Sequence, residues 1–92
     1  MFNCEAVIAM GAPQRCLLRL CKHWSHKFQV NFDEHQGNID FGDSGCELQV
    51  TEGGLRVRLW VADRAELEGL QEVVAEHLQR MVTEPLQVDW SC

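Results

Sequence analysis

No apolar run in this 92-residue chain exceeds a handful of residues, as in Ala6-Val7-Ile8-Ala9-Met10. A helix that crosses a bilayer needs about 20, so no membrane span is expected. The opening Met1-Phe2-Asn3-Cys4-Glu5 lacks a basic residue and carries an acid ahead of that run, which does not fit a secretory signal. Repeats, low-complexity tracts and linkers are missing too. A chain of this length holds material for one core, so a single domain over residues 1–92 is expected. Basic residues are few: eight Lys and Arg stand against fourteen Asp and Glu, a formal net charge of −6. Nucleic acid and anionic lipid are repelled at long range by that balance and are not expected as partners. With 46% hydrophobic and 24% charged residues, the composition is that of a globular domain and not of a disordered or coiled-coil chain.

The five cysteines, Cys4, Cys16, Cys21, Cys46 and Cys92, show no C-x-x-C spacing. Their odd number argues against a disulfide framework. Free thiols in a reducing cytoplasm are expected, most of them acting as small buried hydrophobes. Phosphate-cradling glycine loops, nucleophile elbows, HExxH and zinc ribbons are absent. No nucleophile–base pair can be placed, so catalysis is not expected.

What is present is a clear succession of periodicities. A strand over about Cys4 to Ala9 is broken by Gly11-Ala12-Pro13. A helix over 13–25 follows, with Pro13 where its missing N–H costs nothing. Leu17, Leu20, Cys21, Trp24 and then Phe28 recur every three or four residues as one apolar stripe. Four short alternating runs come next: Phe28–Phe32, Asn38–Phe41, Cys46–Thr51 and Leu55–Val61. They are separated by turn-rich His35-Gln36-Gly37, Asp43-Ser44-Gly45 and Glu52-Gly53-Gly54. Such spacing predicts an antiparallel meander with one face buried. Asp63 and Glu66 have capping-box spacing ahead of a second helix over 64–83, whose stripe is Leu67, Leu70, Val74, Leu78 and Met81. Leu86, Val88 and Trp90 alternate as a last strand. The order β-α-β-β-β-β-α-β predicts an α+β fold, a two-layer sandwich with an antiparallel sheet and both helices on one face. The expected core includes Val7, Phe32 and Leu67 as well as the stripes named above.

Charge is distributed unevenly. No acid lies between Glu5 and Asp33, yet Arg15, Arg19, Lys22 and Lys27 all fall there. At about 100° per residue, Arg15, Arg19, Lys22 and His26 share the outer face of the first helix. Like charges at i,i+4 disfavour an isolated helix by roughly 0.2–0.5 kcal/mol per pair, and no structural need for collecting them is evident. The stripe is therefore expected to meet an anionic small molecule or an acidic protein surface. Histidines 23 and 77 and Arg80 extend this candidate ligand-binding set. Cys21, His23, His26 and His77 together invite a metal ion. Cys21 lies about 140° around the helix from His26, which leaves His23, His26 and His77 as the candidate metal ligands. The competing role for them is capping of helix C-termini and a core-edge hydrogen bond. No other cofactor is expected. Trp60 is out of phase with Leu59 and Val61 and so faces solvent beside Arg56 and Arg58, a combination typical of interface hot spots. Those three residues are the candidate interface, for a homodimer or another protein.

The string Cys21-Lys22-His23-Trp24-Ser25-His26-Lys27-Phe28 resembles the signature of the bacterial domain-of-unknown-function family 2218. His77-Leu78-Gln79-Arg80-Met81 with Glu84-Pro85-Leu86-Gln87-Val88-Asp89-Trp90 is similar to that family's closing pattern, with Met81 in place of an aromatic. The resemblance spans nearly the whole chain. It implies an α+β sandwich of the TATA-binding-protein-like type. It also implies an accessory role, associated with siderophore-interacting flavin reductases and hence with iron. An anion-binding or metal-binding module is the first functional expectation and an interaction domain the second.

Overall fold

The computed structural model describes residues 1–92. Strand β1 (Phe2–Ala9) leads into helix α1 (Pro13–Trp24), followed by β2 (Gln29–Phe32), β3 (Gln36–Asp40), β4 (Ser44–Thr51) and β5 (Gly54–Val61). A 3-10 turn at Arg64–Glu66 then precedes α2 (Leu67–Arg80). The strands form one antiparallel sheet in the order β1-β5-β4-β3-β2. Both helices contribute to a single core with the inward residues of that sheet, so the sandwich has two layers, as the periodicities predict.

Local chemistry accounts for the boundaries. Pro13 occupies the first turn of α1, where no N–H is needed. The β4–β5 hairpin turns at Glu52-Gly53, and Gly53 has φ +84°, a conformation that side chains with a Cβ rarely adopt. Asp33 Oδ1 accepts from the backbone N–H groups of His35 (2.7 Å) and Gln36 (2.9 Å) and so folds the β2–β3 connection. These two bonds stabilise the ionised carboxylate and hold Asp33 below the usual carboxylate range. Asp63 caps through Ala65 N–H at 3.0 Å and starts the 3-10 turn, so α2 proper begins at Leu67, later than the capping-box spacing implies.

Several expectations are corrected. Val7 points outward and is 60% exposed, while Cys4, Ala6, Ile8 and Met10 enter the core. The reason is register: Ala6 and Ile8 lie opposite Val57 and Leu55, the inward residues of β5. Phe32, on the sheet-edge strand β2, is 38% exposed, and Leu67 is half-buried. Gly37 and Gly45 belong to strands, not turns. Leu86, Val88 and Trp90 do alternate toward the core, but they pair with no strand. The terminal segment's backbone pairs with the sheet only through a Glu5–Ser91 bridge. Finally, Cys4 and Cys92 form a disulfide spanning 88 residues, contrary to the expectation of free thiols throughout. Cys16, Cys21 and Cys46 are free and buried. No helix is long and apolar enough to cross a membrane.

Candidate functional site

The seven candidate ligand-binding residues gather on the seam between α1 and α2. At one end of the seam, Arg15, Arg19 and Arg80 border a depression closed by Met81–Glu84. Arg19, Lys22, His23, His26, Arg80 and Met81 line the next. Farther along, His23 and His26 also border a cleft of about 510 Å³ with Trp24, Lys27, Phe28, Phe41, Ser44, Leu70, Val73 and His77. Shared side chains make the three depressions adjoin, and all seven candidate ligand-binding residues line one or another of them.

The basic side chains do not all have the same freedom. Arg19 Nη1 donates to the Met81 carbonyl at 3.2 Å, which gives this residue a structural task that the sequence did not suggest. Arg80 pairs with Glu76 one turn back on α2. Arg15 and Lys22 make no ion pair. The one acid that lines these depressions, Glu84, is engaged: its Oε2 accepts from Gly11 N–H at 2.8 Å. That bond holds its carboxyl below the usual range. Lys22 and His23 also stand in the last turn of α1, where cationic groups meet the negative end of the helix dipole.

His77 Nδ1 lies 2.7 Å from the Val73 carbonyl, an arrangement that places its proton on Nδ1 and points to the core-edge role. Its ring packs against Trp24 (centroids 4.9 Å) and His23 (5.5 Å). Phe41 meets both Trp24 (5.1 Å) and Phe28 (4.8 Å) edge-on. The cleft is thus floored by rings from α1, β2's approach, the β3–β4 connection and α2. Phe41 and Val73 belong to it although sequence reasoning did not place them there. Nothing local ties Phe41 to His77, and only its apolar character beside a turn hinted at a role. The three histidines do not converge with any further donor: no three of His, Cys, Asp or Glu are grouped so as to hold a metal ion.

The buried thiols are poor nucleophiles. Burial pushes Cys16 and Cys21 up to about 11, and Cys46 is raised by burial as well, so all three stay protonated near neutral pH.

On the opposite face of the sheet, Trp60 lies across Gly45, its partner in the β4–β5 register. A Cβ on Gly45 would collide with the indole nitrogen of Trp60, so glycine there is what lets the ring lie down. Arg58 stands between Glu5 (3.4 Å) and Glu47 (4.0 Å). Arg56 is exposed on the same strand.

Comparisons with known proteins agree with this architecture. The model of a bacterial family, DUF2218, described as an uncharacterized protein conserved in bacteria, matches residues 5–91. A solved NMR structure, that of PA4090 from Pseudomonas aeruginosa, is similar at a TM-score of 0.84 and 40% identity. The similarity covers 99% of this chain and 96% of the other. No curated protein matches.

Proposed function

The chain belongs to the bacterial DUF2218 family, and from that premise we propose that it is a non-catalytic binding module that takes an anionic ligand on the α1/α2 seam. One observation carries this reading. In the central depression, five of the six lining residues are Arg19, Lys22, His23, His26 and Arg80, and none is acidic, on a protein of net charge −6. Such a concentration of donors against the overall charge attracts a carboxylate or phosphate and offers it charge-assisted hydrogen bonds. Protonated, buried thiols support the non-catalytic half of the proposal. The iron and siderophore association implied by the resemblance draws no support from the donor arrangement. The sheet face around Arg56, Arg58 and Trp60 is the weaker candidate, because Trp60 rests on Gly45 and Arg58 is flanked by two carboxylates.

Lys22→Glu is the direct test, since Lys22 lines the depression without holding any other element. Titration of inorganic phosphate and of citrate is followed by NMR at low and at physiological salt. Wild type is expected to bind more weakly as salt rises. Lys22→Glu is expected to lose roughly fivefold or more in affinity and to cost about 1 kcal/mol of stability, because it sets a negative charge at the C-terminal end of α1. Binding that ignores both salt and Lys22→Glu would overturn the reading.

A further inference from the structure

Building on the anion reading, we infer that the ligand also carries a planar aromatic ring, which enters the cleft beside His77 while its negative group meets the basic rim. The ligand class is an arene carboxylate. Three observations converge on it. The cleft is walled by rings already arranged for edge and offset contact: Phe41 is perpendicular to Trp24 and to Phe28, and His77 is tilted over Trp24. A further ring is recognised by such walls through the same quadrupole geometry. Apolar surface is left uncovered at the border, where Val73 is 44% exposed on a helix whose other exposed side chains are polar and Leu70 is half-buried. His23, His26 and Lys27 edge the same cleft, and no acid does. An aliphatic acid satisfies the rim alone, and a neutral arene satisfies the walls alone.

The test is an NMR titration of the whole chain with four probes: benzoate, cyclohexanecarboxylate, benzyl alcohol and inorganic phosphate. Benzoate is expected to bind about fivefold more tightly than cyclohexanecarboxylate and more tightly than benzyl alcohol, with shifts centred on the Trp24 indole and the Phe41 ring. Val73→Glu sets a carboxylate at the border on an already exposed helix position. It is expected to abolish the preference for benzoate over cyclohexanecarboxylate while the melting temperature stays as in wild type. Equal affinity for benzoate and cyclohexanecarboxylate, with phosphate still bound, would overturn the arene inference and leave the anion reading standing. Binding of none of the three anions would remove both. Resonances of the cleft that shift on dilution and not on addition of any probe would place a second copy of the chain there and overturn the inference.

Discussion

Helices α1 and α2 cover the same face of the same sheet but are held by different means. In twelve residues α1 buries Cys16, Leu17, Leu20, Cys21 and Trp24, whereas α2 buries only Val74 and Leu78 in fourteen. Fasteners compensate at the C-terminal side of α2. Gln79 Nε2 donates to the Glu84 carbonyl and its Oε1 accepts from Leu86 N–H, both at 2.8 Å. Arg19 holds the Met81 carbonyl, and Glu84 reaches back to Gly11. The Cys4–Cys92 disulfide ties the end of the chain to β1, with Gln71 of α2 against both sulfurs. One helix is thus seated by burial, and the other is strapped down. The candidate ligand site lies between them, on the side where fastening, not packing, decides the spacing.

The sharpest way to break this comparison is to cut the packing of each helix in turn. Leu20→Ala removes a fully buried side chain of α1 and is expected to cost about 2–5 kcal/mol. Leu70→Ala on α2, half-buried, is expected to cost about 1 kcal/mol. Equal losses in urea denaturation would dissolve the distinction.

Reduction of the disulfide, or Cys92→Ser, comes next. Opening a closure of 88 residues is expected to cost about 2–4 kcal/mol. Amide exchange should rise in α2 and residues 81–92 before it rises in α1. Faster exchange in α1 first would mean that the disulfide does not act through the strap.

Gln79→Ala deletes one two-sided clamp and is expected to cost about 1 kcal/mol, with faster exchange at Leu86 N–H as the local signature. The smallest effect concerns acid. Because the Glu84 carboxyl is lowered in the folded chain by Gly11 N–H, its contribution is present above the unfolded value and is lost as pH falls through the lowered one. Melting temperature should therefore decline below the ordinary carboxylate range, and Glu84→Gln should flatten that part of the curve. Asp33, lowered by His35 and Gln36 N–H, adds a slope of the same sign that Glu84→Gln leaves in place.

By itself the sequence determined whatever is written in neighbouring residues. The three- and four-residue recurrence of Leu17, Leu20, Cys21 and Trp24 defines α1 and its buried face. The alternation of Leu55, Val57, Leu59 and Val61 defines the inward side of β5, and the grouping of Arg15, Arg19 and Lys22 marks the basic side of the seam. Only the tertiary structure decided matters that need a distant partner. In Ala6-Val7-Ile8 every residue is apolar, so no alternation exists to read, and the opposition of Ala6 and Ile8 to Val57 and Leu55 turns Val7 outward. Leu86, Val88 and Trp90 have the period of a strand, but a strand also needs a ladder, and Ser91 alone finds one at Glu5. Cys4 meets Cys92, and Phe41 meets Trp24, across separations that carry no local signal. Periodicity states which face of an element is apolar. Which apolar faces meet, and what is left open between them, is settled by the packing of the whole chain.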